Sequence, residues 1–456
     1  LFYSVISLGC KVNQSEGEDI AADLAAAGLE PAKRGQAADI IVINTCTVTG
    51  EADRKSRKAI HRAVDQQAIL AAAGGAAQEA AQGAVVAVTG CYAALAADEL
   101  RKIDGVALVV EQKDKALVAK KILTSINISN NTVAAAKNTA ASSNATSKNS
   151  SPSSSPREAE KPFLRARAFL KVQDGCDNRC AYCIVPDARG NPASLPEEKI
   201  LAKAEVLAAS GAREIVITGI NVGKYGKDPE NKDPENNDPD KKDPKRERTS
   251  LIDVIDKVSR VPGVARVRLS SVEPEDVSLD LLGLITEGRL CPHLHIPLQS
   301  GCDATLKRMG RRYTTGEYKR MIQSVRAACP DAAITTDVIV GFPGETDEEF
   351  ARTVKVIEQI RPARMHVFKY SRRPGTPAAT MEGQISAELK AVRSETVRSL
   401  GAEIAEDYKR SQEGRQAEIV VERVVNGVAF GTTETYIAVE IPAAGLKPGD
   451  IVKTTL

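Results

Sequence analysis

At 456 residues the chain is longer than one hydrophobic core usually serves, so two or three domains are expected, and a hydrophobic content of 42% is ample for their cores. The formal net charge of +2 excludes a protein that binds nucleic acid through an overall basic excess, so any RNA contact must rest on local patches. No apolar run approaches the roughly 18 residues needed to span a bilayer. The opening stretch Leu1–Cys10 also lacks a basic segment followed by a long apolar one, so a soluble, cytoplasmic protein with no membrane partner is expected. The first residue, Leu1, suggests a trimmed N-terminus.

The first region, residues 1–122, repeats one pattern three times. Apolar runs Val5–Leu8, Ile40–Ile43 and Val85–Val88 read as buried strands, and each is followed within three residues by a cysteine: Cys10, Cys46 and Cys91. Helix-forming stretches, among them Glu16–Ala27 and Lys55–Ala71, lie between. Alternating strand and helix predict an α/β domain with a parallel sheet, whose ligands gather at the C-terminal strand edge. All three cysteines fall on that edge. Residues 123–161 are rich in Ser, Asn, Thr and Ala and are expected to form a flexible linker.

Residues 162–400 carry six strand candidates: Phe169–Gln173, Glu214–Thr218, Ala265–Ser270, His293–Leu298, Thr335–Val340 and Met365–Tyr370. With helices such as Glu197–Ala209 and Glu348–Ile360 between them, these predict a partial (β/α)6 barrel. An insert at 227–248, where Asp-Pro recurs at Asp228, Asp233, Asp238 and Asp243, is expected to be a disordered surface loop. A long helix from Ser386 to about Gln412 leads into 412–456, whose short alternating strands from Ala417 and Gly-Pro turns predict a small β-barrel.

The chemistry is concentrated in Cys176, Cys180 and Cys183, directly after the first barrel strand. A structural zinc site wants four protein ligands, and no fourth is close: the nearest later thiol is Cys291 and the first histidine beyond it His293. Three thiolates on a cubane iron-sulphur cluster instead leave one iron open. The three-then-two spacing, with Tyr182 before the last cysteine, resembles the signature of the radical S-adenosylmethionine superfamily. A disulfide scaffold belongs to small secreted domains and is not expected. Cys291, Cys302 and Cys329 are expected to be unligated.

The resemblance extends along nearly the whole chain apart from the inserts. Leu8-Gly9-Cys10-Lys11-Val12-Asn13, Asn44-Thr45-Cys46-Thr47-Val48-Thr49, Thr89-Gly90-Cys91-Tyr92-Ala93, Thr218-Gly219-Ile220-Asn221, Ser270-Ser271-Val272-Glu273, His293 through Gly301, Thr336 through Thr346 and His366 through Ser371 together resemble the methylthiotransferases. The first two motifs look most like the branch acting on N6-threonylcarbamoyladenosine at tRNA position 37. Siblings act on N6-isopentenyladenosine of tRNA or on an aspartate of ribosomal protein S12.

The resemblance implies two 4Fe-4S clusters, an auxiliary one on Cys10, Cys46 and Cys91 and a radical one on Cys176, Cys180 and Cys183. It also implies S-adenosylmethionine as methyl donor and radical source, the tRNA anticodon stem-loop as partner, and an electron donor such as flavodoxin or ferredoxin. The chemistry suits the substrate, because carbon 2 of adenine bears a hydrogen that is neither acidic nor easily displaced. The rival of another class is a zinc-stabilised RNA-binding protein without catalytic activity.

Tyr182, Ser271, Glu273, Gln299 and Asp337 lie at or near predicted strand ends, where barrel enzymes place ligand contacts, and are the candidate cofactor-binding residues. His293 and His295 share a strand face but have no carboxylate close in sequence, and are expected to line the barrel or its core. Gly341–Glu345 lacks the lysine of a phosphate loop and is expected to shape a turn near the cofactor. Basic clusters occur at Arg54–Arg62, Lys307–Arg320 and Lys369–Arg373; the first is expected to be a solvated helix face, the other two to lie on the open side of the barrel. The last module resembles a shortened TRAM domain, most recognisably at Gly431–Tyr436. Thr435 stands where relatives often have Asn, and Ala193 where they usually carry arginine.

Overall fold

A computed structural model describes residues 1–33, 35–72, 85–125, 165–228 and 249–456. The chain divides into two compact units, Leu1–Thr47 with Glu51–Pro162, and Val48–Gly50 with Phe163–Leu456.

In the first unit, β1 (Phe2–Ser7), α1 (Lys11–Ala26), β2 (Glu30–Pro31), β3 (Ile40–Thr45), α2 (Gly50–Ala72), β4 (Val85–Gly90), α3 (Cys91–Leu95), α4 (Ala97–Leu100), β5 (Val106–Val109) and a helix over 118–125 (α5) follow in chain order. The sheet is parallel throughout, in the order β2-β1-β3-β4-β5. Strand β3 shows why its sequence is continuously apolar. Ile40 and Val42 pack with Ile20 and Leu24 of α1, whereas the alternate Ile41 and Ile43 pack with Ile60 and Ala63 of α2. Helix α1 starts at Lys11, earlier than its apolar pattern indicates, because its first two turns bury polar Asn13, Ser15 and Glu16. Strands β2 and β5 escape the sequence reading; two residues and four residues are too short to show a period.

In the second unit, β6 (Arg167–Asp174), β8 (Glu214–Gly219), β9 (Arg266–Leu269), β10 (His293–His295), β11 (Ala333–Val340) and β12 (Arg364–Lys369) run parallel in chain order. A bridge from Ser271 to His295 joins their two hydrogen-bonded groups, and the two-residue β7 (Ala193–Ser194) pairs antiparallel to the end of β6. The result is the expected partial barrel of six strands. The principal helices are α6 (Val185–Arg189), α7 (Glu197–Ala209), α8 (Leu251–Ser259), α9 (Leu279–Thr286), α10 (Asp303–Arg308), α11 (Thr315–Ala328), α12 (Asp347–Ile360) and α13 (Ala387–Gln412). The inner faces of α7 to α13 share one apolar core with the strands.

Strand β10 is shorter than its apolar run. Beyond His295, Pro297 cannot donate to a ladder, and the Tyr313 and Tyr318 hydroxyls donate instead to the carbonyls of Pro297, Leu298 and Ile296 at 2.8–2.9 Å. After α13 comes a curled antiparallel sheet, order β15-β14-β13-β16, made of β13 (Gln416–Val425), β14 (Val428–Thr433), β15 (Ala438–Pro442) and β16 (Ile451–Thr455), with a bulge between Val421 and Arg423.

That sheet is held to the N-terminal ends of the barrel strands by a buried ionic knot. Glu214, with no exposed side-chain surface, accepts from Arg167 (2.9 Å), Arg266 (2.6 Å) and Arg268 (2.8 Å). Arg266 and Arg268 also donate to the carbonyls of Glu418, Thr432, Thr433 and Glu434 in the curled sheet. Burial pushes the Glu214 carboxyl up, but the charges of Arg268, Arg167 and Arg266 overcome it and hold its pKa at about 2.

Residues 123–125, expected to open the linker, complete α5; the rest of that segment lies outside the described residues. The same holds for the Asp-Pro insert beyond Asp228, whose buried carboxylate accepts from the Ser194 backbone N–H at 3.3 Å. Among the described residues no helix is long and apolar enough to cross a membrane.

Candidate functional site

In the first unit the three strand ends come together through register. Ser7 pairs with Asn44 and Asn44 with Thr89, so Cys10, Cys46 and Cys91 each leave the same edge of the parallel sheet a few residues later. Gly9 takes φ +93°, and a Cβ there would run into the Cys46 side chain; Gly90, at φ +99°, sits with equal closeness on the Thr45 backbone. Both glycines let the loops approach as no other residue could. Cys46 is fixed further by Ser56, whose hydroxyl accepts from its N–H at 3.2 Å and donates to its carbonyl at 2.9 Å.

In the second unit the other trio occupies one loop after β6. Gly175, at φ +68°, packs against the Asn191 carbonyl and turns the chain out of the strand. The loop is then gripped by side chains from elsewhere. Gln173 donates to the carbonyls of Asp174 (2.5 Å) and Gly175 (2.9 Å) and accepts from the Asn221 N–H at 2.9 Å. The Asn178 N–H points at Cys176 Sγ at 3.4 Å, and Asn221 Nδ2 at the same sulphur at 3.8 Å. Arg311 brings Nη1 to 3.4 Å from Cys180 Sγ while its other nitrogen pairs with Glu273. Beneath the loop, Ala181 packs with Met309, Phe342, Tyr370 and Ala378.

None of the nine cysteines is joined in a disulfide. Burial pushes the Cys183 thiol up to about 12 and raises Cys176 as well, so releasing their protons calls for a cation. Among the described residues no three His, Cys, Asp or Glu side chains are gathered tightly enough for a single metal ion. A cubane places each thiolate on a different iron and needs its ligands spread wider than around one ion. Soft sulphur donors in threes, with N–H groups aimed at the sulphurs, fit such a cluster.

A family model for the radical SAM superfamily matches residues 170–357, and one described as Uncharacterized protein family UPF0004 matches residues 3–111. The Thermotoga maritima protein named threonylcarbamoyladenosine tRNA methylthiotransferase MtaB is 35% identical, over 94% of this chain and 89% of its own. Its Bacillus subtilis namesake is 35% identical over 99% and 92%. The tRNA-2-methylthio-N(6)-dimethylallyladenosine synthase of Dictyoglomus thermophilum is 33% identical over 95% and 91%. The chain belongs to the radical S-adenosylmethionine methylthiotransferase family. It is a transferase that uses S-adenosylmethionine and 4Fe-4S clusters, two of them in enzymes of this type. Among solved structures, the radical S-adenosylmethionine methyltransferase TsrM of Kitasatospora setae shares the fold, with a TM-score of 0.51 and 14% identity over 83% of this chain and 77% of that one.

Against that background the remaining candidates sort by position. Tyr182 stands edge-on to Phe342 with centroids 6.4 Å apart, and the Gly341–Glu345 turn carrying Phe342 is anchored by the buried pair Glu345–Arg393 at 2.7 Å. Ser271 is exposed at the end of β9. Glu273 pairs with Arg311, and burial still raises its carboxyl above the usual range. Gln299 holds φ +62° at the close of the β10 loop, its backbone bonded to Asp337 and Ile339 of β11 at 2.8 Å.

The two histidines are buried as expected, both on the Thr335 hydroxyl at 3.1 and 2.9 Å. The fold adds the carboxylate that the local sequence lacked, bringing Asp337 to 3.2 Å from His295 Nε2. Sequence reasoning missed Arg311, Asn221 and Asn13. Arg308 and Arg311, within the second basic cluster, are engaged with Glu349 and Glu273.

Proposed function

We propose that this enzyme is a tRNA methylthiotransferase converting N6-threonylcarbamoyladenosine, beside the anticodon, to its 2-methylthio derivative. One observation carries the reading. Two separate trios of thiols each stand at a parallel-sheet edge, in a chain 35% identical across nearly its full length to proteins named for that reaction. The motifs Gly9-Cys10-Lys11-Val12-Asn13 and Asn44-Thr45-Cys46-Thr47-Val48-Thr49 support the choice of nucleoside.

In this reading residues 1–122 form the auxiliary-cluster domain, 162–400 the radical core and 412–456 the RNA-binding module, with 123–161 as linker. Cys10, Cys46 and Cys91 hold the auxiliary cluster; Cys176, Cys180 and Cys183 hold the radical cluster. When bound, the clusters and S-adenosylmethionine supply the one-electron chemistry and the methylated sulphur that an unactivated C–H bond requires. The protein holds and screens. Gln173 and Asn221 fix the loop, Arg311 offsets charge at Cys180, and Tyr182 with Phe342 closes an apolar wall that keeps water from a radical. Tyr182, Ser271, Glu273, Gln299 and Asp337 are the proposed contacts to S-adenosylmethionine, Glu273 while paired to Arg311. A flavodoxin or ferredoxin is the electron donor, and the cytoplasm the compartment.

Nucleoside mass spectrometry on tRNA from a strain lacking the gene tests the substrate. Loss of methylthio-threonylcarbamoyladenosine, restored by the gene, is expected. Unchanged levels, or loss of the methylthio group from dimethylallyladenosine instead, reject it.

A further inference from the structure

We propose that Asn13 is the positioning residue of the auxiliary cluster, one carboxamide that ties together the three strand ends bearing Cys10, Cys46 and Cys91. The inference stands on the family's two-cluster chemistry and is independent of the nucleoside modified. Asn13 sits in the first turn of α1, fully buried. One N–H of its Nδ2 donates to the carbonyl of Leu8 at 2.8 Å, in the loop of Cys10. The other donates to the carbonyl of Thr45 at 2.7 Å, the residue before Cys46. Its Oδ1 lies 4.0 Å from Cys91 Sγ. Its own carbonyl accepts from Asn44 Nδ2 at 2.7 Å.

A helix N-cap would need none of this. Asn13 is the third residue inside the helix, and the N-cap position belongs to Cys10. Behind the carboxamide, Lys115 Nζ lies 3.5 Å from Oδ1 and is held by a buried ion pair with Glu16. Cys91 Sγ and Lys115 Nζ thus approach the same carboxamide oxygen.

The geometric need is plain from the sequence. Cys10, Cys46 and Cys91 arise from three loops with no covalent link shorter than a whole βα unit, and a cubane tolerates little error in thiolate spacing. Groups of this kind around metal ligands typically govern affinity or activity by about 10–100-fold.

The test uses full-length chain reconstituted without oxygen, as wild type, Asn13→Ala and Asn13→Asp. Asn13→Asp has the same shape but lacks both N–H donors. Iron is measured under chelator challenge, reduced samples are examined by electron paramagnetic resonance, and cleavage of S-adenosylmethionine to 5′-deoxyadenosine serves as internal control for the second unit. Both variants are expected to release about half of roughly eight irons at 10–100-fold lower chelator concentration. The auxiliary signal should be lost or altered while 5′-deoxyadenosine formation persists. Wild-type iron retention with an unchanged auxiliary signal in either variant overturns the proposal. So does proteolytic digestion of the whole first unit in both, because Asn13 would then hold the fold and not the thiolates.

Discussion

The two cysteine trios, each proposed to hold a cluster, come together by opposite routes. The second lies within eight residues of one loop, so its spacing is written in local sequence, and the fold's work is to grip that loop from outside with Gln173, Asn221 and Arg311. The first is scattered over three βα units, and register alone brings it to one edge, with Gly9 and Gly90 allowing close approach and Asn13 bridging the loops. A ligand set spread over strands is only as exact as the sheet beneath it. A set on one loop can be exact in itself and still depends on neighbours for its charge and hydrogen bonds.

The largest effect expected from this contrast is a separation of two chemistries. Cys180→Ala should abolish both 5′-deoxyadenosine and the methylthiolated product in an anaerobic assay. Cys46→Ala should spare 5′-deoxyadenosine and lose only the product. Normal sulphur transfer by Cys46→Ala would remove the first trio from the reaction.

Next in size is the foundation of the radical core. Glu214 is enclosed by three guanidinium groups, all of which reach into the curled sheet. Removing one partner from such a buried network typically costs about 3–5 kcal/mol, since the remaining charges stay desolvated without compensation. Glu214→Gln should cost that much in hydrogen-exchange protection of β8 and β13, with the first unit unchanged. The pH dependence has a definite sign. The folded pKa, about 2, lies below the unfolded value of roughly 4.3, so the contribution is complete above that unfolded value and is lost as pH falls towards 2. Protection of β13 that stays flat across that window would show that the arginines, and not Glu214, carry the junction.

What the sequence disclosed follows the same division. Six barrel strands, the three cysteine-bearing strands and the long α13 were legible because each has a period or an apolar run of sufficient length. The loop trio was legible because its spacing is local. Arg311 was not, since Lys307–Arg320 reads as one charge run, and only the fold separates a residue at Cys180 from its solvated neighbours. Tyr436 is instructive in another way. It lies in the most recognisable stretch of the C-terminal module, yet its ring stacks on His293 at 4.5 Å and lies under Arg167 and Arg268, so this part of the motif docks the module on the barrel. A conspicuous aromatic among charged residues does not say, in sequence, whether its partner is RNA or the rest of the same chain.

The smallest of these effects is expected at Arg311, and it bears most directly on how a local ligand set depends on its surroundings. Its guanidinium spans Cys180 Sγ and Glu273, a reach that needs two separated N–H groups on one rigid plane. N–H donors and positive charge beside a cluster sulphur favour the more negative, reduced state, so their removal lowers the reduction potential. Arg311→Met should slow 5′-deoxyadenosine formation by about 10–100-fold and shift the radical cluster to lower potential in a redox titration followed by electron paramagnetic resonance. Arg311→Lys should lose less, because the charge remains while the fork is gone. A structural role alone would lower thermal stability and leave the potential of the correctly folded fraction where it was. An unshifted potential in Arg311→Met would therefore assign the residue to holding Glu273 and the loop rather than to tuning the cluster.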